Sequence, residues 1–98
     1  MTLIISTDFF REALTQEQSV RTAIGKVIPS LEQLSFLDLR RHKGIHLEKL
    51  AGRVDSKTGE PLYSIRITLS VRALAIIVEG TLVLLTIHTD HNKAYRQN

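Results

Sequence analysis

Hydrophobic residues dominate the last third of the chain, either alternating with polar residues or forming continuous runs. Three runs, 62–69, 72–78 and 81–88, are rich in Ile, Val, Leu and Thr. Each has the length of a strand, and the connections between them are too short for anything except tight turns. Glu79 and Gly80 fit a two-residue hairpin turn, because glycine readily adopts the positive φ that such turns need. The pattern therefore predicts an antiparallel meander of three strands.

The three predicted strands differ in how their faces are covered. In the first run the odd positions from Tyr63 to Leu69 are apolar and the even positions from Ser64 to Thr68 are polar. This alternation predicts one packed face and one face in solvent. The other two runs are mostly apolar on both faces, which is typical of strands in the middle of a sheet or beneath helices.

A short strand and a short helix are predicted at the start of the chain. Residues 3–5 are apolar and read as a strand. Thr7 and Asp8 can then cap a helix over residues 9–14.

A longer helix is predicted to follow. Thr15 and Gln18 match a capping box, which marks its beginning. Its apolar positions recur at helical spacing and form one stripe: Val20, Ile24, Val27, Ile28, Leu31 and Leu34. Pro29 lies inside the stripe and removes one backbone hydrogen bond, so we expect a kinked helix rather than a broken one.

Residues 40–61 have the least regular pattern. They hold a basic run at 40–43, a segment at 45–50 that fits either a helical turn or a short extended piece, and a polar, turn-rich loop at 55–61.

The order of elements predicts an α+β fold of the form β-α-α-β-β-β, with the two helices packed on one face of the sheet. The length predicts a single domain over residues 1–98.

Composition narrows the functional classes. There is no cysteine among the 98 residues, which excludes disulfides and thiol chemistry, and no apolar run approaches the length of a membrane span. We therefore expect a cytoplasmic protein without a membrane partner.

The charge of the chain is unevenly distributed. Lys and Arg number three against five Asp and Glu in residues 1–39, but ten against five in residues 40–98. The basic part favours a polyanion or an acidic partner, although many small basic proteins bind nothing charged.

Four segments in order resemble the RelE/ParE toxin superfamily of toxin–antitoxin systems. GIHLEKL (44–50) resembles a segment ahead of the family's sheet, and YSIRI (63–67) resembles one of its strands. VRALAIIVEGTLVLLTI (71–87) resembles its hairpin, and HNKAY (91–95) resembles its HDxAY end. The resemblance covers nearly the whole chain and is greatest to the RelE-like mRNA interferases.

The resemblance implies a function and its partners. Many members are ribosome-dependent, metal-free mRNA endonucleases that stop translation until a cognate antitoxin covers them in a hetero-oligomer. It therefore implies an endoribonuclease with no cofactor, whose partners are mRNA, the ribosome and an antitoxin. The ParE branch instead inhibits DNA gyrase, so a non-enzymatic gyrase inhibitor or an inactive member is the alternative. An α+β domain with unrelated binding is a second alternative.

Metal-free RNA cleavage needs a base for the 2′-hydroxyl, a cation for the phosphate oxygens and an acid for the leaving 5′-oxygen. Histidine titrates near neutral pH, and the arginine fork matches two phosphate oxygens. The resemblance places Arg72 at an active-site arginine, although it could instead form a structural pair with Glu48. Arg66 is a second cation that members also use structurally.

The remaining candidates surround these arginines in the sequence. His88 and His91 match positions with acid–base or phosphate roles, and Tyr95 matches a tyrosine that orients the nucleophile or stacks on a base. The predicted catalytic residues are Arg72, His88, His91, Tyr95 and Glu48. The residues predicted to contact RNA are Arg66, His46, Lys49, Lys93 and Arg96. Each has a plain alternative as a surface or structural residue.

Two features qualify the chemistry. Asn92 stands where related members often have aspartate, and asparagine cannot exchange protons or hold a histidine by charge. The pairs His42/His46 and His88/His91 have spacings that zinc can use, but a site would need the two segments to converge. We therefore predict no metal site.

Overall fold

The computed structural model describes residues 1–89. Its elements, in chain order, are β1 (Thr2–Ile5), α1 (Thr7–Leu14), α2 (Gln18–Gln33), α3 (Phe36–Arg41), β2 (Glu48–Val54), β3 (Pro61–Arg66), β4 (Val71–Val78) and β5 (Thr81–Thr89). The α+β class predicted from the sequence is confirmed.

The strands form a single five-stranded sheet with the order β1-β5-β4-β3-β2. The strands β2 to β5 form an antiparallel meander, and β1 pairs with β5 in parallel. The chain therefore begins beside its last described strand, which places β4 at the centre of the sheet, where both of its faces are largely buried.

The hydrophobic core lies between the helices and one face of the sheet. Its buried helical residues are Phe9, Val20, Ile24, Leu31 and Leu39, and its buried sheet residues include Ile65, Ala73, Ala75, Leu82 and Leu84. Two alanines on the central strand leave room for the large helical side chains above them. We call the opposite face, against which no helix of residues 1–89 packs, the open face.

Two elements, α3 and β2, lie in the part predicted to be irregular. Ser35 caps α3 by accepting a hydrogen bond from the backbone N–H of Asp38 at 3.1 Å. The pairing of β2 with β3 is irregular between Lys49 and Val54, and Gly52 has a φ of 74° within this strand. The structure therefore has three helices and a four-stranded meander over residues 1–89, where two helices and a three-stranded meander were predicted.

The predicted starts of the first two helices were wrong. Ser6 caps α1, because its Oγ accepts from the N–H of Phe9 at 3.1 Å. Thr15 does not begin a capping box; it ends α1, and its Oγ1 donates to the Glu12 carbonyl at 2.8 Å. The second helix starts at Gln18.

The second helix was predicted to be kinked rather than broken at Pro29, and the part of that prediction that concerns a break is confirmed. Pro29 lies inside α2, which runs without interruption from Gln18 to Gln33. The predicted hairpin turn is also confirmed, since Glu79 and Gly80 have φ values of 49° and 81° between β4 and β5.

The turn between β3 and β4 was predicted less well. Leu69 was expected on a packed face but is 84% exposed, because β3 ends at Arg66. The backbone N–H of Ile67 donates to the Val71 carbonyl at 2.9 Å and closes the turn. Thr68 Oγ1 accepts from the N–H of Val71 at 3.1 Å, so this threonine shapes a turn that has neither glycine nor proline.

Candidate functional site

Three predicted site residues lie side by side across the sheet. Arg66 of β3 is directly opposite Arg72 of β4, which is directly opposite His88 of β5. Directly paired residues of antiparallel strands share one face of the sheet. We call these three residues the Arg–Arg–His row. The row lies on the open face, since its neighbours in register include Leu74, which lines a groove there.

A bulge in β5 turns its C-terminal half. Leu74 pairs with Thr86 and Ala75 pairs with Leu84, so Leu85 is an extra residue with no partner on β4. Leu84 is in the helix-side core, and strict alternation would have placed residues 86 and 88 on that side too. The bulge therefore brings His88 to the open face beside Arg72.

Arg72 is held firmly by the protein. Its Nε donates to Ser64 Oγ at 3.0 Å, and its Nη2 donates to the His46 carbonyl at 3.2 Å. Its Nη2 also lies 3.7 Å from Glu48 Oε1, and its side chain is only 13% exposed. The pair that the sequence offered as the alternative to a catalytic role, Arg72 with Glu48, is therefore present. Ser64, predicted to face solvent, is 1% exposed beneath this guanidinium.

Arg66 differs from Arg72 in its side-chain contacts. It is half-buried, and its backbone N–H donates to the Ile45 carbonyl at 2.8 Å. Its Nε is buried and has no hydrogen-bond partner among residues 1–89. Within residues 1–89 no carboxylate forms an ion pair with Arg66, whereas Arg72 is paired with Glu48, so Arg66 is the arginine of the row better suited to contact a phosphate.

His88 is half-buried, and its Nε2 lies 2.9 Å from Thr86 Oγ1. Burial lowers the pKa of His88 below its usual 6.5, the carboxylate of Glu12 opposes this by raising the pKa, and the charge of Arg53 lowers it further. The imidazole is therefore largely neutral at neutral pH, which suits it to accept a proton.

Glu12 is a residue that sequence reasoning missed. Its Oε1 accepts a hydrogen bond from the backbone N–H of Ile87 at 2.7 Å, immediately before His88. This contact joins α1 to β5 just beyond the bulge. Nothing in the local sequence marks it, since the two residues are 75 positions apart.

Of the other predicted residues, some lie beside the row, one lies on the other face of the sheet, and the rest lie outside the described residues. The side chain of Glu48 is 57% exposed beside Arg72, while exposed His46 contributes its carbonyl to that arginine. Lys49 pairs with Tyr63 one position along from Glu48, which places it on the other face of the sheet from the row. His91, Lys93, Tyr95 and Arg96 lie outside the described residues, as does Asn92.

Beside the row, the open face forms a shallow apolar groove of about 900 Å³. The apolar side chains that line it include Leu62, Leu74, Ile76, Val83 and Leu85. A concave apolar surface of this extent on a sheet face is typical of a binding site.

Within residues 1–89, no group of three or more His, Asp and Glu side chains is placed to hold a metal ion. His42 Nδ1 already accepts a hydrogen bond from the N–H of Ile45 at 3.1 Å. Among the helices of the same residues, none is both long and apolar enough to cross a bilayer.

Acid is expected to destabilise the protein through His88. Its pKa is lower in the folded state than the usual 6.5 of the unfolded chain, so the unfolded chain binds the proton more readily. The stability contributed by neutral His88 is complete above pH 6.5 and is lost as the pH falls toward the folded-state pKa. Urea unfolding at about pH 7.5 and about pH 5.5 measures this difference. In His88→Gln the difference should shrink, whereas His46→Gln, a change at an exposed histidine, should retain it.

Comparison with solved structures identifies the fold. The chain is similar to a chain of the archaeal RelE–RelB complex from Pyrococcus horikoshii OT3, with a TM-score of 0.66 and 15% identity over 93% of this chain and 96% of that one. It is also similar to a copper-bound mutant toxin from Helicobacter pylori, with a TM-score of 0.54 and 15% identity over 96% and 98% of the two chains. The YoeB dimer of Staphylococcus aureus gives a TM-score of 0.52 and 14% identity over 94% and 97%.

These similarities show that the protein has the fold of RelE-like toxins. No known family model and no curated protein matches the sequence.

Proposed function

We propose that this protein is the toxin of a toxin–antitoxin pair and cleaves mRNA on the ribosome in the cytoplasm. The observation that carries the proposal is the Arg–Arg–His row, which aligns two guanidinium groups and an imidazole on the open face. Cations and a neutral imidazole side by side supply the cation and the base among the three groups that metal-free RNA cleavage requires. The fold shared with RelE and YoeB supports the same assignment.

The imidazole and the two guanidinium groups of the row have different tasks in the proposed reaction. His88 takes the proton of the 2′-hydroxyl, and the resulting oxygen attacks the phosphorus. Arg66 binds the phosphate oxygens as charge develops on them, and Arg72 stabilises the same charge from its fixed position. The bond to the 5′-oxygen then breaks, which leaves a 2′,3′-cyclic phosphate and a protonated 5′-hydroxyl. We assign the donation of that proton to His91 and the orientation of the nucleophile to Tyr95.

An antitoxin is the proposed protein partner. The apolar groove lies directly beside the row, so a protein bound there would block access of RNA to both arginines. The similar structure of RelE with RelB supports a hetero-oligomer of toxin and antitoxin.

The alternative is a non-enzymatic toxin that inhibits gyrase, or an inactive relative of the mRNA endonucleases. The contacts of Arg72 favour this alternative, because its side chain is 13% exposed and its guanidinium is bound to Ser64 and His46 and paired with Glu48. Asn92 favours it as well, since it replaces a proton-exchanging residue of the family pattern.

Expression from a tightly repressed promoter, with mapping of the 5′ ends of cellular mRNA, distinguishes these functions. We expect growth arrest and new cleavage sites within translated codons. Arg66→Gln should lower cleavage by roughly 10²-fold, because it removes a donor to the developing charge without disturbing the contacts of Arg72. Arg11→Gln is the matched control, since Arg11 is exposed on α1 and its only ion pair among residues 1–89 is with Asp8.

Three results would contradict the proposal, two of them the endonuclease and one its site. Growth arrest with intact mRNA would indicate gyrase or another protein target. Equal cleavage by the Arg66→Gln and Arg11→Gln variants would remove Arg66 from the mechanism. No arrest and no cleavage would indicate an inactive relative, in which Asn92→Asp would then be tested for recovery of activity.

A further inference from the structure

A second cleft lies on the helix side of the sheet, away from the Arg–Arg–His row. It has a volume of about 520 Å³ and is bounded by α3 and by the paired strands β2 and β3. Its lining residues are Phe36, Arg40, Leu47, Lys49 and Tyr63. Lys49 and Tyr63 are direct cross-strand partners, so a cation and an aromatic ring stand side by side on one wall.

The opposite wall repeats this combination. Phe36 and Arg40 are four residues apart on α3, which places them on the same side of the helix. The Arg40 guanidinium lies 5.7 Å from the centre of the Phe36 ring, within cation–π distance. Phe36 is 40% exposed, so much of its ring is available to a ligand rather than used in the core.

No carboxylate among residues 1–89 compensates the charges of the cleft. Within residues 1–89, neither Arg40 nor Lys49 forms an ion pair with a carboxylate, and no Asp or Glu lines the cleft. Arg41, the last residue of α3, and Lys43, two residues further on, are both exposed, which extends the positive surface past the end of the helix. Such a surface is complementary to an anion.

We propose that this cleft binds single-stranded RNA. A base would stack on the exposed ring of Phe36 or on Tyr63, while Arg40 and Lys49 would bind the flanking phosphates. Aromatic rings next to cations are the combination with which proteins bind single strands, because every base has a face that can stack. A duplex is not expected to bind in this way, since its bases are stacked on one another and are not available to the rings of the cleft.

This inference rests on the proposed function, because it adds a second contact for the RNA that the protein is proposed to cleave. It concerns the binding of that RNA and not the cleavage step. RNA bound in the cleft would contact the helix side of the sheet, whereas RNA bound at the Arg–Arg–His row would contact the open face. The protein would then hold a strand at two places, only one of which carries the candidate chemistry. The RNA-contact role predicted for Lys49 is thereby retained, at a different place from that of Arg66.

Fluorescence anisotropy of the purified full chain with a labelled, unstructured RNA of about ten nucleotides tests the cleft. Phe36→Leu, which keeps an apolar side chain but removes the ring, should weaken binding roughly tenfold. Lys49→Gln should weaken binding and lower the slope of log K against log salt by about 0.7. Lys26→Gln removes the same charge from the exposed surface of α2 and should change the affinity little. Circular dichroism verifies that each variant is folded.

Different outcomes separate this inference from the proposed function. If Phe36→Leu binds as tightly as the wild type, or if Lys26→Gln weakens binding as much as Lys49→Gln, the cleft is not an RNA site. If only Arg66→Gln weakens binding, RNA contacts the open face alone, so the cleft is excluded while the proposed cleavage site stands. Duplex RNA of the same length that binds equally well and shows the same loss in Phe36→Leu would also overturn the single-strand assignment.

Discussion

Phe9→Ala is expected to lower the free energy of unfolding by about 3–5 kcal/mol, a large part of the stability of a domain of this size. Phe9 is 1% exposed and lies between α1 and the sheet, in one cluster with Leu82 and Leu84 of β5. Removing the ring leaves a cavity that the surrounding side chains fill only in part. Urea unfolding followed by circular dichroism measures the loss.

The neighbouring residue supplies a matched control. Phe10 is 60% exposed on the other side of α1, so Phe10→Ala should change the free energy of unfolding by less than about 1 kcal/mol. The two variants remove the same atoms from the same helix, which separates burial from helix propensity. Equal losses in both would mean that α1 does not pack through Phe9.

The sequence predicts the buried, locally encoded parts of the fold better than its exposed or short elements. The β4–β5 hairpin is encoded locally, because continuous apolar runs flank Glu79 and Gly80, whose conformation makes the turn. By contrast, β2 lies at the edge of the sheet, and most of its residues are exposed. It is held by pairing with β3, so its sequence needs no alternation of apolar residues. The six residues of α3 are too few to establish a helical period.

The resemblance named residues of the candidate site, but it did not predict how they are aligned or which groups contact them. The resemblance to the RelE/ParE superfamily pointed to Arg66, Arg72 and His88. Their alignment depends on the hairpin register together with the bulge at Leu85, and a bulge of this kind leaves no reliable mark in a single sequence. The contacts of Glu12 with Ile87 and of His46 with Arg72 join positions 75 and 26 residues apart. Such contacts follow only from the completed fold.

The environment of Arg72 also changes how a loss of activity at this residue should be interpreted. The resemblance placed Arg72 at an active-site arginine, which makes it an obvious residue to substitute. In the structure its guanidinium connects β3, β4 and the segment before β2 through Ser64 and His46. A substitution there acts on stability as well as on any phosphate contact, so Arg66 gives the clearer test of chemistry.

Arg72→Ala is accordingly expected to lower the free energy of unfolding by about 2–4 kcal/mol, since hydrogen bonds to a charged group are lost and a buried hydroxyl is left without its donor. That hydroxyl belongs to Ser64, which is 1% exposed. The Arg72→Ala, Ser64→Ala double variant should lose less than the sum of the two single variants, because no unpaired group remains buried. Urea unfolding of the four proteins gives this double-mutant cycle.

Glu48→Gln is the control for the ion pair within this network. The Glu48 side chain is 57% exposed, so weakening its pair with Arg72 should change the free energy of unfolding by no more than about 1 kcal/mol. If Arg72→Ala is no more destabilising than Glu48→Gln, the hydrogen bonds of Arg72 do not stabilise the fold. Loss of growth arrest in a stable Arg72→Ala protein would then assign this arginine to the phosphate rather than to the sheet.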